Sequence, residues 1–488
     1  MLSRSELNLK SATPLYRQVS AKIRALIESG VLRDGERLPP TRKLAGLLGL
    51  NRTTVSAAYE LLEADGFLRG HVGRGSFVYA PRKTGGVKWA GRLAPAEGPR
   101  SAPEGEGEIS FASSKPSELL FPLEEFRATC REVIDGEEAA SILQLGAPAG
   151  YAPLRRYLLE RARDEGAARA GDDILITSGV QQAFDLIQRV LALPGETVLM
   201  EDPVYPGLRN AFARSGARTV GIPVGKDGID LPALERAIAR ERARLVVVTS
   251  NFQNPTGATL PVEARRTLAR MAANAGAVVV ENDIYGELNY SREALPTLKQ
   301  IDASGDTVLL RSFSKLAFPG LRVGWVIAPR AVVARLTEAK QYTDIHSDQL
   351  GQAVVHRFAA SGRLEAHRER VRASGAERLG AVLTACGEML PPGSGYTRPW
   401  GGMSLWVRLP GGLDAEALLP AARREGVSYL PGRVFAVTNA EPGGLRLSFA
   451  QLPVDKIRLG MERLGRVFAR AAEQEAEARE FEPAAALV

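Results

Sequence analysis

Between residues 173 and 322, β-rich runs end again and again in residues able to do chemistry. After Asp173 to Thr177 comes Ser178-Gly179-Val180-Gln181-Gln182, which opens a helical stretch whose backbone N–H groups suit a phosphate. After Thr197 to Asp202, the run Asp202-Pro203-Val204-Tyr205 sets an aromatic ring in a loop. The run Leu245 to Asn251 leads into Phe252-Gln253-Asn254-Pro255-Thr256-Gly257, which offers an amide donor. Ala277 to Glu281 precedes Asn282-Asp283-Ile284-Tyr285, and Thr307 to Arg311 precedes Ser312-Phe313-Ser314-Lys315 and then Gly320-Leu321-Arg322. A lysine, a carboxylate, a phenol, an arginine and a hydroxyl-rich loop, converging from separate strand ends, suit a phosphorylated pyridine aldehyde. The lysine forms an aldimine with the aldehyde, and the carboxylate keeps the ring nitrogen protonated as an electron sink. Singly, each residue has a plainer use: Lys315 as a surface lysine, Asp283 as a helix cap, Tyr285 as core, Arg322 as half of a surface ion pair. Their joint occurrence, in this order and at these strand ends, argues against the plain uses.

Strands alternating with helical stretches predict an α/β domain with a mostly parallel sheet and helices on both faces. In such sheets ligands sit at the carboxyl ends of the strands, where all these residues fall.

The chain has 488 residues, too many for one ordinary core, and an apolar content of 45%, so two or three domains are expected. No stretch has the length of a membrane span, and the first residues, MLSRSELNLKSATP, lack the apolar core of a secretory signal, which predicts a cytoplasmic protein. Cys130 and Cys386 are far apart and without a histidine cluster, so neither a disulfide framework nor a metal site is expected. Residues 1–80 carry a net +5 of the chain's +7, and a polyanionic partner would bind there. Residues 81–107, rich in Pro, Gly and Ala, read as a flexible linker, and 471–488, with five Glu, as a fraying helix end and a disordered acidic tail.

In residues 1–80, Leu15, Val19, Ile23 and Ile27 recur at helical spacing with Gly30 behind them. Thr41 is expected to cap a second helix with Leu44, Leu47 and Leu48 inward and Gly49 at its end. Asn51 is expected to cap a third, with Val55, Tyr59 and Leu62 inward and Gly66 at its end. Two short helices so closely joined resemble a helix-turn-helix, and Phe67-Leu68-Arg69 with Ser76-Phe77-Val78 then flank a glycine-rich wing tip. Through P-L-Y-R-Q, L-P-P-T-R-x-L-A, N-R-T-T-V and G-x-G-S-F-V, this region is similar to the GntR-type winged helix. That resemblance implies DNA contacts from Thr41, Arg42, Arg52, Thr54 and the Arg74-Gly75 wing tip. The alternative for an isolated fold of this kind, a protein-docking module, is disfavoured by the basic residues.

Over residues 108–470, S-G-x-Q-Q-A, N-P-T-G, D-x-Y, S-F-S-K and G-L-R-x-G-W in that order resemble fold-type I aminotransferases, whose cofactor is pyridoxal 5'-phosphate. The resemblance implies that Lys315 carries the internal aldimine, Asp283 pairs with the pyridine nitrogen, Tyr285 and Asn254 hydrogen-bond the ring hydroxyl, and Tyr205 stacks on the ring. It implies that Ser178, Gly179, Val180, Ser312, Ser314 and Arg322 surround the phosphate and that Arg446 holds a substrate carboxylate. Pro399 to Trp406 and Pro431 to Phe435 look like the family's small C-terminal α/β subdomain, as ligand contacts or equally as a turn and a core strand. A GntR winged helix, a linker and such a domain together resemble the MocR-type regulators. This second resemblance implies a homodimer on double-stranded operator DNA, in which an amine or amino acid effector displaces Lys315 as an external aldimine. The alternatives are an active aminotransferase whose DNA-binding domain is secondary, and a regulator that senses the cofactor alone.

Overall fold

The computed structural model describes residues 7, 13–71, 75–79, 107–290 and 293–481. The chain divides into two compact units, Met1–Pro99 and Arg100–Val488. The expected linker, except for its last residue, and the end of the expected tail from 482 lie outside the described residues.

The first unit contains α1 (Leu15–Glu28), α2 (Thr41–Leu48), α3 (Arg52–Ala64) and an antiparallel hairpin of β1 (Leu68–His71) and β2 (Gly75–Val78). Val19, Ile23 and Ile27 of α1 share one core with Leu44 and Leu48 of α2 and with Val55, Tyr59 and Leu62 of α3. Gly49 ends α2 in the left-handed conformation at φ 60°, and Asn51 then caps α3, its Oδ1 accepting from the Thr53 N–H at 3.2 Å. Two details of α2 depart from the sequence reading. Thr41 is the first helical residue, and the cap position is taken by Pro40, whose missing N–H has no helical partner to lose. Leu47 is 57% exposed and Ala45 is in the core instead, because at about 100° per residue Leu44, Ala45 and Leu48 form the inward stripe. A bridge between Arg37 and Phe77 adds a third strand position beside the hairpin, which the sequence reading does not include.

The second unit begins with β3 (Ile109–Ser110) and continues through β4 (Asp172–Ser178), β5 (Thr197–Asp202), β6 (Arg218–Gly225), β7 (Gly228–Ile229), β8 (Leu245–Val248), β9 (Val278–Asn282), β10 (Val308–Ser312) and β11 (Val323–Pro329). Its main sheet runs β4-β11-β10-β9-β8-β5-β6-β7. The strands from β10 to β6 are parallel, whereas β11 is antiparallel to both β4 and β10, and β7 is an antiparallel edge. Strands β6, β7 and β11 are additions to the five read from the sequence.

Alternate residues of the strands face opposite layers of helices. Leu175, Val247 and Leu310 pack with the helices Val180–Leu191 and Arg330–Asp344. Ile174, Ile176 and Leu309 face Ala152–Asp164 and Gln349–Ala360, while Val246 and Val248 face Leu231–Glu241 and Val262–Ala275. Burial on both faces is what makes these strands nearly continuous apolar runs.

A smaller antiparallel sheet follows, ordered β12 (Gly395–Tyr396), β13 (Ser404–Arg408), β16 (Gly444–Ser448), β15 (Leu430–Pro431). Beside it β14 (Val427–Ser428) pairs in parallel with β3, so the start of the unit is stitched into its end. The last helix, Val454–Phe481, runs through residues 471–481, which the sequence reading assigns to the tail. Ile457, Met461, Leu464 and Phe468 anchor it as a buried stripe, Ala471 and Ala472 still touch that core, and a run of good helix formers carries it on. Among the described residues, no helix is long and apolar enough to cross a membrane.

Candidate functional site

Lys315 ends a single 3-10 turn, Phe313–Lys315, immediately after β10; Ser312 caps the turn, its Oγ accepting from the Ser314 N–H at 3.0 Å. The Lys315 Nζ donates to the Ser114 carbonyl at 2.9 Å and stands 5.8 Å from the centre of the Tyr285 ring. Burial, followed by the positive charges of Arg446 and Arg322, lowers its amine from the usual lysine range to about 8. Such a lysine is a usable nucleophile near neutral pH.

Asp283 follows β9, and both its oxygens are engaged: Oδ1 accepts from Asn251 Nδ2 at 2.7 Å and Oδ2 from Arg311 Nε at 3.1 Å. Two residues on, the Tyr285 Oη accepts from Asn254 Nδ2 at 3.1 Å, and burial pushes this phenol up to about 12, so it stays neutral. The Asn254 Oδ1 in turn accepts from Arg446 Nη1 at 2.9 Å. Arg446, on β16, also donates to the Ala112 carbonyl and lies over the Phe435 ring, 5.0 Å from its centre. It is only 4% exposed, its Nε has no hydrogen-bond partner, and burial draws the guanidinium down to about 10. Tyr205 stands at the start of the helix Pro206–Ala213, 41% exposed and near enough to Tyr285 and Arg446 to interact with them electrostatically.

Ser178, Gly179 and Val180 make the start of the twelve-residue helix Val180–Leu191. Gly179 is at φ 74°, and a Cβ there would strike the guanidinium of Arg322. Arg322 is itself left-handed at φ 54°, with Nη1 donating to Ser314 Oγ at 3.4 Å and to the Pro319 carbonyl at 3.2 Å. Ser312 and Ser314 are 3.0 Å apart through their hydroxyls, and Ser178 Oγ is 3.0 Å from Ser347 Oγ. A helix N-terminus, serine hydroxyls and an exposed guanidinium gathered in this way offer the kind of donors that an anion such as a phosphate accepts from.

Asn251, Arg311, Ser114, Ala112 and Ser347 are additions to this neighbourhood, whereas Phe435 comes from the Pro431 to Phe435 stretch already read as a ligand contact or a core strand. Asn251 and Arg311 stand inside motifs visible in the sequence, but nothing local marks their shared partner Asp283. Ser114 lies 201 positions from Lys315 and has no sequence signal at all.

The residues singled out for DNA belong to the first unit. Arg42 and Arg52 are exposed near the N-terminal ends of α2 and α3, with Thr41 and Thr54 half-buried beside them. Gly75 opens β2 at φ 101°, and Arg74 lies outside the described residues.

Residues 108–464 match the family of aminotransferases of class I and II, and residues 15–78 match the bacterial regulatory proteins of the gntR family. The 2-aminoadipate transaminase of Thermus thermophilus is 39% identical over 74% of this chain and 90% of its own length. The HTH-type transcriptional regulator TauR of Rhodobacter capsulatus is 31% identical over 91% of this chain and 95% of its own. The crystal structure of LysN, the alpha-aminoadipate aminotransferase of Thermus thermophilus, complexed with N-(5'-phosphopyridoxyl)-L-leucine, has a TM-score of 0.73 at 36% identity, covering 80% of this chain and 100% of that one. The chain therefore belongs to the aminotransferase class I and II family. With a gntR-family winged helix ahead of that domain, it is a MocR-like regulator whose large domain takes pyridoxal phosphate as cofactor.

Proposed function

We propose that an amino compound bearing a carboxylate, bound at Lys315 and Arg446, changes the affinity of the winged helix for operator DNA. Pyridoxal phosphate is held by Lys315 at its aldehyde, by Asp283 at the ring nitrogen, by Tyr285 and Asn254 at the ring hydroxyl and by Tyr205 against the ring. Ser178, Gly179, Val180, Ser312, Ser314 and Arg322 surround its phosphate. When bound, the cofactor supplies an aldehyde carbon that accepts an amine and a ring that withdraws electrons from it.

The observation that carries this reading is the buried Arg446 beside Lys315, with an Nε that has no partner. Asn254 and Ala112 orient its guanidinium, Phe435 covers one face, and hydrogen-bonding capacity is left for a carboxylate. Lys315, lowered to about 8, exchanges its proton near neutral pH, and the Ser114 carbonyl holds the amine when it is not attached.

The chain acts as a cytoplasmic homodimer whose two winged helices, through Thr41, Arg42, Arg52, Thr54, Arg74 and Gly75, meet paired half-sites. The effector shifts DNA affinity only as far as it prefers one conformation of the dimer over the other. A second reading, a working aminotransferase, is favoured by the 39% identity to a named transaminase.

The test is to titrate the cofactor-loaded protein with a panel of amino compounds while following visible absorbance and binding to DNA from its own promoter region. A carboxylate-bearing amine that moves both is expected. Steady conversion of an amino acid and a keto acid with DNA binding indifferent to either would overturn the regulator in favour of the enzyme.

A further inference from the structure

Asp283 is gripped from both sides. Beyond its bonds from Asn251 and Arg311, Asn251 is itself locked, its Oδ1 accepting from Arg265 Nη2 at 2.6 Å. Arg311 is held at its outer end, where Nη1 donates to Glu165 Oε2 at 2.6 Å. Glu165 accepts from Arg161 Nε at 2.9 Å, and Arg161 Nη2 reaches Glu287 Oε1 at 3.0 Å. The Arg311 side chain is 16% exposed and that of Asp283 4%, so water screens little of this contact. Burial alone would pull the Arg311 guanidinium down, but Asp283 and Glu165 outweigh it and raise it, which keeps Arg311 a cation.

A carboxylate facing a pyridine nitrogen stabilises the protonated ring through its negative charge. A guanidinium bonded to the same carboxylate in a poorly screened setting offsets part of that charge. The ring then holds its proton less firmly and withdraws electrons less strongly. Swapping one amine for another at the aldehyde carbon depends little on that withdrawal, whereas pulling a proton from the carbon next to the amine depends on it heavily.

We propose that Arg311 is a positioning residue that divides the charge of Asp283 between itself and the cofactor's ring nitrogen, so that the site exchanges amines readily and supports transamination poorly. This deepens the regulator reading and rests on it for its biological sense.

The test loads the full chain with pyridoxal phosphate labelled with ¹⁵N in the ring and follows the ring resonance across pH for wild type, Arg311→Gln, Arg311→Lys and Glu165→Gln. In Arg311→Gln the undivided Asp283 raises the ring nitrogen's proton affinity by roughly tenfold, the scale of one charged neighbour in a buried site. Arg311→Lys, which restores a cation, returns it most of the way. Glu165→Gln removes the competing carboxylate, lets Arg311 lean wholly on Asp283 and moves the ring the other way. A residue that merely props the fold would not send Arg311→Gln and Glu165→Gln in opposite directions. Equal midpoints in all four proteins, or shifts of the same sign in those two variants, would overturn the proposal, and if Arg311→Gln fails to fold, the sign in Glu165→Gln decides. Because the ring signal needs the cofactor alone, a parallel amine titration of wild type tests the regulator reading separately.

Discussion

Replacing Arg446 with glutamine discriminates among ligands by their chemistry. The arginine is 4% exposed and hydrogen-bonded to Asn254 and the Ala112 carbonyl, so a bound carboxylate would face a pre-oriented cation with little competing water. Truncating one side of a buried, hydrogen-bonded charge pair costs about 2–5 kcal/mol. At about 1.4 kcal/mol per tenfold, the dissociation constant of a carboxylate-bearing amine rises from roughly thirtyfold to a few thousandfold. An amine of similar size without a carboxylate loses almost nothing, which separates a lost contact from a damaged site. A second signature accompanies the first: Arg446 is one of the charges that lower Lys315, so its removal lets the lysine climb back toward its ordinary range. Absorbance titrations of both proteins with matched amines read the first effect, and the pH profile of the Lys315 amine reads the second. Equal losses for both classes of amine, or no loss for either, would refute the assignment of Arg446.

Three further outcomes are expected. Arg52→Ala, at the exposed start of α3, should weaken binding to promoter DNA by about 1–3 kcal/mol while leaving non-specific binding nearly unchanged, as read by fluorescence anisotropy against both DNAs at fixed salt. Gly179→Ala forces a side chain into a φ 74°, ψ 173° conformation that is essentially reserved for glycine and into the Arg322 guanidinium. At about 1–3 kcal/mol of strain, equilibrium dialysis should show the cofactor held roughly fivefold to a hundredfold more weakly. In the cofactor-free protein Lys315 has its amine lowered to about 8 from the 10.5 of an unfolded chain, so it opposes folding. That opposition is complete below pH 8, fades between about 8 and 10.5 and vanishes above, so Lys315→Met should raise the melting temperature at pH 7 and progressively less toward pH 10.

The sequence made the cofactor neighbourhood legible because Lys315, Asp283 and Tyr285 come within three residues of the end of an apolar strand and Asn254 lies in the loop after another, and burial on both faces makes such strands stand out. What escaped were relations across the chain. Arg311 sits within the same run as Lys315, yet its partners Asp283 and Glu165 lie 28 and 146 positions away. The strand β11 reverses direction between two neighbours, and its motif residues showed their type but not that reversal. In the first unit, Leu47 fits the apolar pattern of α2 and still faces outward, since Ala45 is small enough to fill the inward stripe beside Leu44 and Leu48. The last helix runs on to Phe481 because helix formers and a buried stripe from Ile457 to Phe468 outweigh its run of glutamates.

The most direct test of coupling between the two units measures promoter-DNA affinity with and without a saturating carboxylate-bearing amine, in wild type and in Lys315→Ala. An amine-dependent change in wild type, with DNA binding kept but the amine response gone in Lys315→Ala, is the predicted result. An identical amine response in both proteins, or none in wild type despite a shifted spectrum, would contradict it.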